Sequence, residues 1–370
     1  MRYVQINAYS DNWAESIIFK KHRELTAAGD ESWVFWARGN HEEDDHMQKI
    51  ASFPEVCFDV LQTRLDGKAA FHSKQITRRL LKKLDDINPD VVHLHVLLGY
   101  YINVEMLFDW LASHKCQVIW TLHDCWSFTG HCYYFTYAKC DQWKTGCDCS
   151  FPCPQLGEYP ETIAKKSVRW NYENKRRLFT MLPSDRMRLI VPSQWLADLV
   201  SQSYMAKYPV DVVHNTINTN VFKPTSSSFR DSYGVGERFM ILGVASKWSE
   251  RKGLADFIRL ASDCDPAHFS VVVIGLNDKQ IKEMPKQMIA LEKTDSLAEL
   301  VEAYSAADVF FNPTVEDNYP TVNLEAEACG TPVITYDTGG CRETISLPNS
   351  SIVTGYDQSL QLIKTLCALK

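Results

Sequence analysis

Two kinds of apolar pattern alternate along the chain, and the alternation predicts its architecture. Short β-like runs fall at 2–8, 31–37, 91–95, 118–122, 189–192 and 210–214. Between them lie segments of helical spacing at 16–28 and 104–113, and one in which Ile76, Leu80, Leu84 and Ile87 share a face. Strands that alternate with helices pair in parallel and are covered on both faces, because each crossover returns over the sheet. The pattern breaks at 223–236, KPTSSSFRDSYGVG, where a proline, three consecutive serines and two glycines interrupt it. A second series follows, with strands at 240–245, 270–274, 309–312 and 332–336 and helices at 296–307 and 321–329. The expected fold class is α/β: two doubly wound domains, 1–223 and 237–370, joined by a linker at 224–236. In such open sheets ligands bind outside the carboxyl ends of the strands, so the two domains are expected to face a cleft there.

Composition narrows the function classes. A chain of 370 residues exceeds one ordinary core, which agrees with two domains. Apolar residues at 45% and charged residues at 23% exclude a disordered chain. A net charge of −7 argues against nucleic acid as a partner, which would need a basic face. No run approaches the ~20 apolar residues that span a bilayer. The opening MRYVQINAYS runs straight into a strand pattern without the regions of a signal peptide, so a cytoplasmic location is expected.

Chemistry concentrates in three places. In FNPTVEDNYPTVNLEAEACGTPVI, 311–334, a strand ends, a polar loop carries Glu316, Asp317, Asn318 and Tyr319, and a helix with Glu325 follows. A helix N-terminus has free N–H groups and partial positive charge, which suit an anionic or hydroxyl-rich ligand. Acidic residues there also simply cap a helix. In GVASKWSERKGL, 243–254, Lys247, Arg251 and Lys252 follow the first strand of the second series. His123, in VIWTLHDCWSF, ends a strand of the first series with Asp124 beside it, and His93 and His95 end another. A histidine ending a strand is otherwise most often structural.

These motifs together resemble the retaining family 4 glycosyltransferases of the GT-B fold, over nearly the whole chain and most strongly over 240–345. The resemblance implies two Rossmann-like domains, a nucleotide diphospho-sugar co-substrate and no required cofactor or catalytic metal. It assigns Glu325 to the nucleotide ribose, and Asp317 or Glu316 with Asn318, Tyr319, Pro320 and Thr321 to the donor sugar. It places Lys247 and Lys252, with Arg251 adjacent, on the diphosphate, and His123 on the reacting sugar. Asn12 and His95 are the acceptor-side candidates. Here the loop reads Asn-Tyr-Pro where Gly-Phe-Gly is usual, and the first loop, 9–13, lacks the family's glycines. The implied activity is glycosyl transfer from a UDP- or GDP-sugar to a glycan or lipid-linked acceptor, in bacterial capsule, exopolysaccharide or O-antigen synthesis. The alternative is a non-catalytic nucleotide-sugar-binding regulatory subunit. Such enzymes usually end in a helix that crosses back to the first domain, and here that crossing reads as short or absent.

Six of the twelve cysteines fall between Cys125 and Cys153. Cys132, Cys140, Cys147 and Cys153 could supply four thiolates to a structural Zn, although paired Cys-x2-Cys knuckles are missing. The other reading is a loop packed by its own thiol and aromatic side chains. Two basic groups stand out on the acidic chain: Lys74, Arg78, Arg79, Lys82 and Lys83, and Lys165, Lys166, Arg169, Lys175, Arg176 and Arg177. They suggest peripheral contact with an anionic membrane on its inner face, against ordinary solvated helix faces.

Overall fold

Each apolar series forms one parallel sheet. In the computed structural model, which describes residues 1–10, 13–148 and 153–370, the first sheet contains β1 (Arg2–Tyr9), β2 (Glu31–Arg38), β3 (Met47–Lys49), β4 (Val91–Leu94), β5 (Gln117–Thr121), β6 (Met187–Val191) and β7 (Val210–Val212). Its order is β3-β2-β1-β4-β5-β6-β7. The second contains β8 (Phe239–Val244), β9 (Phe269–Ile274), β10 (Ile289–Leu291), β11 (Val309–Asn312), β12 (Val333–Tyr336) and β13 (Ser351–Val353), in the order β10-β9-β8-β11-β12-β13. All these pairings are parallel. Both sheets are thus Rossmann-like and doubly wound. The winding direction reverses between β1 and β4 in one and between β8 and β11 in the other, and such a reversal is where open α/β sheets bind ligands.

The chain divides into two units, Met1–Val213 and His214–Lys370, each with its own core. In the first, β1 is buried from Tyr3 to Ala8, polar Gln5 and Asn7 included. Gln5 Nε2 donates to the Ile18 carbonyl at 2.9 Å, and Asn7 Oδ1 accepts the Val96 amide at 3.1 Å. Asn7 thereby ties the end of β1 to the loop after β4, at the reversal point. Helix Lys74–Ile87 buries Ile76, Thr77, Leu80 and Leu84, as its spacing requires.

Three features differ from the sequence reading. The segment 224–236 is not a free linker: Phe229 is buried in the second core, Ser227 Oγ donates to the Glu302 carbonyl at 3.0 Å, and Arg230 pairs with Asp308 at 2.7 Å. Lys175 does not belong to a basic surface. It is buried, donates from Nζ to the Trp126 carbonyl at 2.6 Å, and lies 4.0 Å from the Trp126 ring centroid. Helix Phe53–Asp66, absent from the sequence reading, wears its polarity reversed. It buries Val56, Asp59 and Thr63 and exposes Phe53, Phe58, Leu61 and Leu65. Among the described residues, no helix is long and apolar enough to cross a membrane.

Candidate active site

In the second unit three loops meet at the carboxyl edge of the sheet, held by glycines. The loop after β8 ends in a turn at Glu250–Lys252, and helix Leu254–Asp263 starts at Gly253 with φ 75°. A β-carbon on Gly253 would collide with the Pro313 carbonyl in the loop after β11. The Val315 amide and Thr314 Oγ1 both donate to the Arg251 carbonyl, at 2.9 and 3.1 Å. From the loop after β12, the Gly340 amide donates to the Asp317 carbonyl at 2.9 Å and Thr338 Oγ1 to that of Thr314 at 2.7 Å. Gly339, at φ 56°, lies so close that a β-carbon would strike the Asp317 carbonyl.

This frame concentrates charge on Asp317. The Lys252 ammonium pairs with its Oδ2, and the Arg251 guanidinium stands 3.8 Å from the same oxygen while donating to the Glu316 carbonyl. Burial alone would raise the Asp317 pKa, but Lys252 and Arg251 outweigh it and hold the carboxyl below its ordinary range. Its Oδ1 accepts the Asn318 amide at 2.9 Å. Glu316 is fully buried, and Asn318 is buried beside it. The Tyr319 ring stacks on His214, centroids 4.8 Å apart. Pro320 caps helix Thr321–Ala328. On that helix, half-buried Glu325 accepts the Tyr304 hydroxyl at 2.9 Å, and burial pushes its pKa up. Lys247 is exposed on the loop after β8. The structure therefore groups Arg251, Lys252 and the 316–321 loop in one cluster. Sequence reasoning missed the parts that hold it: Gly339, Thr338 and Tyr304. Only the Gly339-Gly340 pair after a strand carried a readable signal.

In the first unit, three histidines form a stacked series at the carboxyl ends of β4 and β5. His93 and His95 have centroids 4.1 Å apart, and His95 and His123 5.8 Å. His93 is structural: Nδ1 lies 2.8 Å from the Tyr3 hydroxyl and Nε2 2.8 Å from Thr121 Oγ1. His95 and His123 line one small cavity of about 20 Å³ with Trp126. Burial pushes the His123 pKa down to about 3, so its ring is neutral at pH 7. Asp124 Oδ1 accepts the Trp126 amide at 2.9 Å, and burial raises its pKa to about 6. Asn12 lies outside the described residues.

Cys132, Cys140, Cys147 and Cys153 all line a second small cavity with His131 and Trp143. Burial raises Cys132 well above the ordinary thiol value and Cys147 to about 12. Among the described residues, no three His, Cys, Asp or Glu side chains are placed to hold a metal ion.

The model described as Glycosyltransferase Family 4 matches residues 14–221, over half the chain. The chain belongs to glycosyltransferase family 4. A second model, described as Glycosyl transferases group 1, matches residues 238–369. Among family relatives, the putative colanic acid biosynthesis glycosyl transferase WcaC of Escherichia coli is 28% identical over 75% of this chain and 66% of its own length. Alpha-maltose-1-phosphate synthase of Mycolicibacterium smegmatis is 30% identical over 46% of this chain and 48% of its own. The chain thus spans about half to two thirds of these relatives. Sucrose-phosphate synthase from Thermosynechococcus elongatus superposes with a TM-score of 0.68 at 14% identity, covering 100% of this chain and 90% of that one. Anabaena HepE, solved with UDP and glucose, gives 0.65 at 13% identity, covering 99% and 89%. These structures establish the GT-B fold.

Proposed function

We propose that this family 4 member is a retaining hexosyltransferase. It moves a sugar from a nucleotide diphospho-sugar, UDP- or GDP-linked, to a glycan or lipid-linked acceptor during bacterial surface polysaccharide synthesis. The observation that carries the reading is Asp317, held ionised by Lys252 and Arg251 at the β8/β11 reversal with Glu325 on the adjoining helix. An anionic group bound there competes with Asp317 for the two cations, and the carboxylate turns to the sugar hydroxyls. Lys247, Arg251 and Lys252 then stabilise the negative charge that develops on the leaving diphosphate, with no need for a divalent metal. Glu325 accepts from the ribose hydroxyls, and Asn318, Tyr319, Pro320 and Thr321 shape the sugar pocket. Buried Glu316 is a supporting residue, since its carbonyl fixes Arg251. Neutral His123 offers a hydrogen bond to the sugar without placing a positive charge beside an oxocarbenium-like transition state. The departing phosphate oxygen takes the acceptor proton, and orientation supplies much of the rate. WcaC, described as a colanic acid biosynthesis enzyme, and HepE, solved with UDP and glucose, support the pathway and donor class.

A thermal-shift panel with UDP, GDP, ADP and their sugar conjugates tests the donor site. At a hundredfold excess over Kd, binding adds about 2.7 kcal/mol of stability. The expected result is a shift with one nucleotide that Glu325→Ala removes. No shift with any of them in the folded protein refutes the donor assignment.

The reading extends to peripheral docking on the inner membrane face through Lys74, Arg78, Lys82, Lys165 and Lys166. Wild-type protein should float with anionic vesicles at low salt and dissociate at high salt. Flotation indifferent to lipid charge would contradict this.

A further inference from the structure

A cavity of about 610 Å³ opens in the first unit, and its lining shares no residue with the histidine and thiol cavities. Helix Phe53–Asp66 forms one wall, the 67–73 loop and the start of helix Lys74–Ile87 another, and Trp170 a third. Its place in the fold is informative. Helix Lys74–Ile87 leads into β4 and so runs antiparallel to it, which puts Lys74 at the carboxyl edge of the sheet. The loop following β4 is tied to the cavity wall, because the Val104 amide donates to the Ala70 carbonyl at 2.8 Å and the Asn103 amide to Thr77 Oγ1 at 2.8 Å. The cavity therefore adjoins the β1/β4 reversal of the first sheet.

Its chemistry is specific. Phe71 and Trp170 meet edge to face with centroids 4.9 Å apart, and the Lys68 ammonium rests 4.6 Å above the indole. Four carboxylates line the space, and two already have cationic partners, Glu55 with Arg79 at 2.7 Å and Glu105 with Arg177 at 2.7 Å, while Asp66 lies 3.0 Å from His72 Nε2. The fourth, Asp59, is buried and accepts the Thr63 and Ser73 hydroxyls. Lys68 and Lys74 line the space too, so with Arg79 and Arg177 four cations offset the four carboxylates, and the cavity favours neither an anionic nor a cationic ligand. Planar acceptors and the Gln62 amide beside an aromatic ring suit the hydroxyls and polarised C–H bonds of a pyranose. The loop also holds two non-glycine residues in the left-handed region, Ala70 at φ 66° and Ser73 at φ 51°, a cost that clusters at ligand clamps.

We propose that this cavity is a subsite for an uncharged glycan chain, holding sugar residues of the acceptor against Trp170, Phe71 and Gln62. The proposal rests on the transferase reading for the word acceptor, and on the cavity alone for glycan binding. The test is retention of wild-type protein on an array of neutral oligosaccharides built from glucose, galactose, mannose, fucose and N-acetylhexosamines. Two variants accompany it. Trp170→Ala removes the platform, and Gln62→Trp fills the cavity from a helix surface where a large side chain leaves the fold intact. Saturation-transfer NMR on the retained glycan quantifies each. Wild type should retain at least one glycan, and both variants should weaken it by about tenfold or more, while the nucleotide-induced thermal shift stays. No retention by wild type overturns the subsite, as does retention unchanged in Gln62→Trp. If the glycan binds but no nucleotide does, the donor assignment fails and the glycan site stands.

Discussion

Lys175 is the residue whose environment departs furthest from its sequence pattern. It lies in a run of lysines and arginines, yet burial lowers its pKa to about 7, and Cys147, Cys132 and Asp124 only partly offset the effect. Between about pH 7 and the ordinary lysine value of about 10.4, the unfolded chain carries a proton that the folded chain has released. Stability therefore rises with pH across that window. In urea melts, the stability of wild type relative to Lys175→Met should grow from about pH 7 to about pH 10; a difference flat with pH would contradict the burial. At this scale a known motif singled out Asp317, Glu325 and Lys252, and the structure pairs Lys252 with Asp317. It was illegible where a side chain's role depends on depth. Spacing cannot distinguish Lys175 from Lys166, and nothing in the chain announces that Tyr304 would reach Glu325.

At the scale of elements, glycines hold the candidate donor site together. Gly339 is the sharpest case, since its positive φ and its contact with the Asp317 carbonyl both exclude a side chain. Gly339→Ala should destabilise the protein by about 2 kcal/mol or more, measured by chemical denaturation, and should reduce nucleotide binding further. The strands and amphipathic helices were readable because burial on a sheet face or helix stripe leaves a period in the sequence. Some of the elements missed lack one. Three-residue β3, β10 and β13 are too short to show a repeat. Helix Phe53–Asp66 carries a stripe, but its apolar side faces outward and Asp59 and Thr63 face inward. Periodicity says that a helix has two sides and not which one meets the core.

At the scale of the whole molecule, the two units have separate cores, and the family's two models divide along nearly the same line. Residues 214–370 expressed alone should fold with one cooperative thermal transition and keep the nucleotide-induced shift of the full chain. A fragment that stays unfolded would show that the second core needs the first. The break at 223–236 lies inside the second unit, which begins at His214, and Phe229 and Arg230 are anchored there.

Both sheets follow one wiring plan, two strands outward from a founder strand and then the rest on its other side. A plan used twice invites shuffling. If the donor is read by one half and the acceptor by the other, recombination near residue 214 changes one substrate at a time. Under the proposed function, exchanging half-genes would keep a working sugar donor while trying new chains to extend.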